Sequence, residues 1–429
     1  MNNITVGVFP SGSEMSIEVS RALSFIRNIK LVGLASVNDY GSVAFPENYV
    51  NLPFYNDVNF IEELRRIVRH YGIDFIIPGM DEVAFFLKSN EHEIGCEVVY
   101  AGLKTAEILR KKSSTYHSLA GVVPTPKMFN WAEISTSNLP IFTKPDIGYG
   151  SRGAQKIETI EEFHNLTFIQ KEKNVFTEYL PGTELTVDCF SDLQSNLLFA
   201  GPRVRERTRI GISVATKPIP LCGEIRNIAF AISKKLSKSG CWFFQLKQDI
   251  NSVYKVQEVA GRVSGSMAMY RLLGMNFILL DLYQRNGIEV RIPKLIDGEF
   301  RLERAFDVNL VGSVCVDSVY VDLDDCLLLR NSINTKLISF LYACLNRSLP
   351  IYLVTRHAGD LSDTLKKFRI SQIFTEVYHL KNGEEKYTYI KHTKPLFIDD
   401  SFKERSNVGE NILGSTAVSP DMLDEGILK

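Results

Sequence analysis

The sequence predicts a multidomain protein of mixed α/β and α+β class, and three observations predict it. Short β-branched runs alternate with helical periodicity near both ends of the chain, the pattern of parallel sheets flanked by helices. From about Lys111 the middle changes to strand runs broken by glycine and proline turns, as antiparallel sheet does. At 429 residues the chain exceeds one ordinary core, so two to four domains are expected. The expected boundaries are 1–110 for a small parallel α/β domain, 111–308 for the antiparallel part, and 309–429 for a Rossmann-like α/β domain.

The elements follow in order. Residues 4–9 are a β-branched strand run closed by PSGS at 10–13, and 15–25 then have helical spacing. Residues 29–35 form a second strand, 60–70 a helix, and 75–77 a third strand before PGMDE. The first turn is not GxGxxG, so a dinucleotide fingerprint is weak.

In the middle part, residues 140–157 read PIFTKPDIGYGSRGAQKI: a strand carrying Lys144, a loop with Gly148, Gly150, Ser151, Arg152 and Gly153, and a returning strand. Glycines let the backbone fold over oxyanions with its N–H groups exposed, so a phosphate-covering loop is expected. Residues 176–188 bring Glu178, Tyr179 and Leu180 to a Pro-Gly turn before Glu184; such an edge offers backbone groups to an adenine and a carboxylate to ribose hydroxyls. A hairpin of 242–246 and 254–259 carries Gln245 and Glu258, followed by Gly261, Arg262, Ser264, Gly265 and Ser266. Arg203, Arg205, Arg207 and Arg209 alternate, either as one strand face lining a site or as a solvated charged edge.

Near the C-terminus, 319–327 read VYVDLDDCL, a strand run delivering Asp322 and Asp324, with Asp325 beside them, to the carboxyl end of a parallel sheet, where ligands of open α/β folds bind. Residues 331–345 have helical periodicity, 350–354 form a strand ending in Thr355, 360–368 a helix and 373–377 a strand. Lys386 opens a further helical stretch, and 396–398 end in Asp399 and Asp400. Three strand ends present acid, hydroxyl and acid, which points to magnesium-dependent phosphoryl transfer. The spacings leave no room for a substantial cap domain, so the site is open and suits a bulky phosphorylated substrate, or one whose access the rest of the chain shapes.

Composition narrows the classes. Lys plus Arg of 49 against Asp plus Glu of 50 argues against a nucleic-acid binder. The seven cysteines lie singly, without CxxC spacing, and read as reduced thiols. Histidines 70, 92, 117 and 164 form no cluster. No run approaches the ~20 apolar residues of a membrane span, and the N-terminus lacks a signal-like apolar stretch, so a cytoplasmic location is expected.

The last quarter of the chain resembles the haloacid dehalogenase-like phosphohydrolases. The resemblance implies that Asp322 is the nucleophile forming an aspartyl-phosphate and Asp324 the general acid/base. It further implies that Thr355 holds the phosphoryl group, Lys386 offsets its charge, and Asp322, Asp324, Asp399 and Asp400 serve Mg²⁺. The glycine and threonine usual after the second aspartate are here Asp325 and Cys326.

Residues 1–300 resemble the ATP-grasp superfamily, in particular carbamoyl-phosphate synthase and related carboxylate–amine ligases. The resemblance implies that Lys112 and Lys144 contact ATP phosphates under the 148–153 loop, and that Glu178, Tyr179, Leu180 and Glu184 serve the nucleoside. Gln245 and Glu258 would bind Mg²⁺, with Mn²⁺ as an alternative ion, and Arg262 would face the γ-phosphate or acyl-phosphate. The family's asparagine two residues after the metal-binding glutamate is here Ala260, which cannot ligate.

The expected function is therefore an ATP- and Mg²⁺-dependent ligase joining a small-molecule carboxylate to an amine, fused to a phosphohydrolase, with the two acting on successive intermediates. A second reading makes the phosphatase the main activity and the ATP-grasp part a nucleotide-binding module that does not ligate. Exposed edges of the N-terminal domain offer homodimer surfaces.

Overall fold

The computed structural model describes residues 3–148, 150, 152–209, 211–305 and 314–424. The chain forms two units, Met1–Ala305 and Phe306–Lys429.

The first unit opens with five parallel strands, β1 (Ile4–Phe9), β2 (Ile29–Leu34), β3 (Asn48–Tyr49), β4 (Phe75–Pro78) and β5 (Glu97–Val98), in the order β3-β2-β1-β4-β5. The order reverses between β1 and β4, which places the crevice of this sheet at the loops after those two strands. Those loops start helices Glu14–Leu23 and Asp81–Ser89. Ser13 caps the first, its side chain accepting from the Ser16 N–H at 3.1 Å. Helix Phe60–Tyr71 buries Phe60, Leu64, Ile67 and Val68, one stripe at 3.6 spacing, and stops at Gly72, whose φ of 64° permits the left-handed cap.

Four antiparallel strands follow, β6 (Met128–Phe129), β7 (Ile141–Pro145), β8 (Gln155–Ile157) and β9 (Asn174–Glu178), ordered β6-β9-β7-β8. A second antiparallel sheet comprises β10 (Glu184–Ser191), β11 (Leu197–Arg209), β12 (Ile212–Pro218), β13 (Gly240–Gln248), β14 (Tyr254–Ala260) and β15 (Leu302–Glu303), ordered β14-β13-β10-β11-β12-β15. One face of this sheet carries Trp242 and Phe244 against helix Gly223–Lys235. The other presents Phe190 and Phe243 to a core that includes Val6, Val8 and Ile77 of the parallel sheet. Two sheets sharing one core explain why the first 305 residues fold together.

The second unit is built on β16 (Ser318–Val321), a two-stranded hairpin of β17 (Leu328–Leu329) and β18 (Ser332–Ile333), then β19 (Ile351–Thr355), β20 (Glu376–His379), β21 (Pro395–Ile398) and β22 (Thr416–Val418). Its main sheet is parallel, ordered β20-β19-β16-β21-β22, with every residue of β16 and β21 buried.

Three sequence expectations need correction here. Residues 331–334 are not helical: Ser332 and Ile333 pair back onto Leu328 and Leu329, and the helix starts at Thr335 behind the Asn334 cap. The strand expected at 373–377 lies at Glu376–His379, because Ile373 turns inward as a core residue before the edge strand begins. The stretch opened by Lys386 is only a short 3₁₀ turn, Lys386–Tyr389. All seven cysteines are free thiols. Among the described residues, no helix is long and apolar enough to cross a membrane.

Candidate functional site

In the first unit a cavity of about 460 Å³ collects residues from every layer. β7 contributes Lys144, β13 Gln245, β14 Glu258, and the parallel sheet Glu14 and Asp81 from its crevice loops. Gln245 and Glu258 stand directly opposite on the antiparallel β13–β14 pair, so both carbonyl-bearing side chains leave the same sheet face. Lys144 Nζ donates to the Gln257 carbonyl at 3.1 Å, beside Glu258. Lys112 Nζ donates to the Gly148 carbonyl at 3.0 Å, tying the helix Lys112–Leu119 to the glycine loop.

Burial pulls Lys112 below the ordinary lysine pKa, against the field of Glu258. For Lys144 burial acts the same way, yet Tyr116, Glu258 and Glu184 outweigh it and hold the pKa above the ordinary value. The same cavity thus keeps one lysine firmly charged and leaves the other with a costly charge that an anion would relieve.

In the glycine loop, Gly150 and Gly153 have φ of 64° and 70°, and a Cβ at Gly153 would sit 3.1 Å from Pro145. Gly148 and Arg152 line the cavity, and Ser151 lies outside the described residues. Tyr179 and Leu180 line it as well. Glu178 is committed to protein partners: it accepts from the Lys127 N–H at 2.7 Å and from Lys255 Nζ at 2.6 Å. Glu184 pairs with Arg205 at 2.7 Å.

Two arrangements escaped the sequence reading. Arg262 is gripped by Asp81, Nε to Oδ1 and Nη2 to Oδ2 both at 2.5 Å, a fork joining residues 181 positions apart. Glu14 and Arg304 form a similar pair beside Gly265. The arginine run does not keep one face: Arg203 is fully buried on Asp188 and Arg205 nearly so, whereas Arg207 is exposed. Register shifts between Arg205 and Thr208 break the alternation. Ala260 pairs with Phe243 and joins the apolar core, so it supplies no ligand.

The second unit gathers Asp322, Thr355, Lys386 and Asp399 at the carboxyl ends of β16, β19 and β21. Lys386 Nζ donates to Asp399 Oδ2 at 2.7 Å and stands 2.9 Å from Asp322 Oδ1. Asp322 Oδ1 is held by this ion pair with Lys386, and the buried Thr355 hydroxyl, which makes no well-aligned hydrogen bond, lies close enough to Asp322 to work against the burial that raises its pKa. A buried hydroxyl and an ammonium beside one carboxylate are the donors that the oxygens of a phosphoryl group require.

Asp322, Asp399 and Asp400 each offer an oxygen within 4.8 Å of the others, a hard-donor set that fits Mg²⁺. Burial and the neighbouring Asp322 push Asp399 up to about 6, while burial raises Asp322 against the pull of Lys386. Asp324, expected among the metal donors, is not in this cluster; its carboxylate faces His357 instead, Nδ1 lying 3.0 Å from Oδ1 and 2.9 Å from Oδ2. Asp325 carries the turn after the strand at φ 58°, and Cys326 is buried.

With this geometry in hand, the class is set by the fold: the chain contains an ATP-grasp fold. The biotin carboxylase domain of Hydrogenobacter thermophilus 2-oxoglutarate carboxylase, solved with MgADP, ADP and bicarbonate, superposes with a TM-score of 0.58 at 16% identity, over 70% of this chain and 74% of that one. N5-carboxyaminoimidazole synthetase from Staphylococcus aureus, in complex with ADP, gives 0.56 at 15% identity over 69% and 81%. An L-amino acid ligase from Bacillus licheniformis gives 0.51 at 17% over 66% and 74%. More particularly, residues 170–304 match the family described as ATP-grasp in the biosynthetic pathway with Ter operon. No curated protein matches the chain in sequence.

Proposed function

We propose that residues 1–308 form an ATP- and Mg²⁺-dependent carboxylate–amine ligase acting through an acyl-phosphate. The observation that carries this reading is the convergence of Lys144, Gln245 and Glu258 on one cavity that Gly148, Gly150 and Arg152 of the glycine loop also line. Lys112, Lys144 and the loop N–H groups at 148–153 hold the phosphates, Tyr179 and Leu180 border the base, and Glu184 serves the ribose once it exchanges Arg205 for a hydroxyl. Gln245 and Glu258 are the Mg²⁺ donors, and Mn²⁺ suits the same oxygens. Arg262, oriented by Asp81, meets the transferred phosphoryl group. Catalysis here is positioning and charge neutralisation. The substrates are a small carboxylate and an amine.

We propose that residues 309–429 form a phosphohydrolase of the haloacid dehalogenase-like type. Its support is the gathering of the buried Thr355 hydroxyl and the Lys386 ammonium at the Asp322 carboxylate. Asp322 attacks phosphorus, Thr355 and Lys386 hold the equatorial oxygens, and Asp324 protonates the departing oxygen. Mg²⁺ at Asp322, Asp399 and Asp400 would neutralise phosphoryl charge.

The test is a screen of pooled carboxylates and amines for ADP release, with product mass spectrometry, alongside Mg²⁺-dependent phosphate release from phosphate esters. Glu258→Gln should abolish the first activity and spare the second; Asp322→Asn should do the reverse. Ala260 favours a second reading, in which ATP binds the first unit without ligation. ATP binding by calorimetry with no ADP formation across the panel would establish that reading instead.

A further inference from the structure

We infer that His357 is the positioning residue that aims Asp324 at the leaving-group oxygen, an inference that rests on the phosphohydrolase reading of the second unit. Asp324 is half exposed, and a carboxylate in that setting ordinarily samples several rotamers. Here both of its oxygens lie within 3.0 Å of one ring nitrogen, Nδ1 of His357. An ionised carboxylate only accepts, so Nδ1 carries the proton and donates.

The ring is itself fixed from behind. Nε2 lies 2.9 Å from Thr364 Oγ1, on the helix Leu361–Lys367, and a hydroxyl serves either ring tautomer or the charged ring as donor or acceptor. The His357 carbonyl is held by His379 Nε2 at 2.8 Å, on the neighbouring edge strand. The His357 side chain is 15% exposed, so the ring itself is largely shielded even though its carboxylate partner is half exposed. Arg356, between Thr355 and His357, points the other way, onto Glu404 at 2.9 Å and the Glu384 carbonyl at 2.6 Å. One short loop therefore fixes the phosphoryl-holding hydroxyl at 355 and the orienting imidazole at 357.

The step that needs this aim balances as follows. An Asp322 oxygen forms a bond to phosphorus while the phosphorus–oxygen bond to the leaving group breaks. The protonated Asp324 gives its proton to the departing oxygen. Water then attacks the aspartyl-phosphate, returning a proton to Asp324 and releasing inorganic phosphate and the free Asp322 carboxylate. In the first half-reaction the His357 N–H contacts the carbonyl-like oxygen of Asp324, leaving the acidic proton turned to the site; in the second it steadies the carboxylate. His357 touches no reacting atom and acts through Asp324 alone.

The experiment compares p-nitrophenyl phosphate, whose leaving group departs without help, with an unactivated alkyl phosphate, using the full chain and Mg²⁺. His357→Ala should lower kcat for the alkyl ester by roughly 10- to 100-fold, part of what general-acid catalysis contributes, with KM little changed and p-nitrophenyl phosphate turnover within about threefold of the parent. His357→Asn, whose amide N–H takes the place of Nδ1, should recover most of the loss, and His357→Gln should not. This last pair carries the test if the alanine variant does not fold. Equal losses on both esters, or no loss on either, would overturn the assignment of His357. Failure of the parent protein to hydrolyse p-nitrophenyl phosphate would instead overturn the phosphohydrolase reading, and this inference with it.

Discussion

Glu258 lies directly across the sheet from Gln245, and the register of β13 on β14 is what places them so. Leu246 pairs with Val256, so one residue of β14 is bulged out between the two pairs, just before Glu258. The bulge sets Gln257 to receive Lys144 and Tyr116, the latter through its hydroxyl at 2.7 Å. Glu258→Gln keeps the size and removes the charge, so the variant should fold as the parent does. ATP-dependent turnover should fall by about 10²-fold or more, as when a charged group that neutralises a phosphoryl site is lost. Steady-state ADP release against Mg²⁺ concentration measures this, and unchanged turnover at all concentrations would remove Glu258 from the site.

How legible the site was depended on distance along the chain. The acids at 322, 399 and 400 and the hydroxyl at 355 could be read because each terminates an apolar strand, a local pattern that the parallel sheet then brings together. The Asp81–Arg262 fork could not be read, since nothing near either residue names the other. The second strand of the hairpin, Ser332–Ile333, falls inside the 331–345 helical expectation because Ile333 also fits the 3.6 period of the helix that follows. The arginines at 203–209 could be read no further than two open alternatives, and both are met in part: Arg203 and Arg205 line the cavity and Arg207 is exposed, because β11 is bulged between them. His357 sits in a loop, where no periodicity marks it.

Arg203 and Asp188 make a bidentate pair at 2.6 and 3.3 Å with both side chains withdrawn from water, and Ser264 adds a bond to Arg203 at 3.2 Å. Removing one partner strands the other charge in the interior. Asp188→Leu should therefore cost about 3–5 kcal/mol of stability, whereas Asp188→Leu combined with Arg203→Met should recover most of it. Urea titrations of the single and double variants decide the matter. A single variant within about 1 kcal/mol of the parent would mean that water reaches this pair.

Lys238 is a buried ammonium with no hydrogen-bond partner; the Trp242 ring lies 5.7 Å from Nζ, and a Cβ at Gly261 would come within 3.0 Å of it. Burial drives its pKa down to about 7, against the opposing influence of Cys241 and Cys189. The folded state thus disfavours the proton that the unfolded chain keeps up to the ordinary lysine value. Stability should rise with pH between about 7 and that value, because there the unfolded chain binds the extra proton. Lys238→Met should stabilise the protein by up to roughly 5 kcal/mol at and below neutral pH, an advantage that shrinks as pH rises from 7. Thermal melts of both proteins at about pH 6.5 and about pH 9.5, the first below that window and the second well inside it, would show it. A pH-independent difference would mean that the amine is neutral throughout or is solvated.

Around Asp399 the charges do not balance. Asp322, Asp399 and Asp400 bring three carboxylates together, and among the described residues Lys386 is the cation paired with their carboxylate oxygens, while Arg405 bonds the backbone carbonyls of Asp399 and Asp400 at 2.7 Å, so negative charge is in excess when all three acids are ionised. A divalent cation is the complement of that excess, and its binding to the folded state alone must stabilise the fold by mass action. Millimolar Mg²⁺ should therefore raise the melting temperature of the protein, and chelation should reverse the rise. Asp399→Asn removes one negative charge and one strong donor, so the rise should shrink or vanish. Lys386→Met should act in the opposite sense: it exposes the buried acids to one another, lowering stability by about 3–5 kcal/mol without metal, and Mg²⁺ should then restore more than it adds to the parent. Equal Mg²⁺ responses in all three proteins would place the ion elsewhere and leave the three aspartates as a capped strand edge.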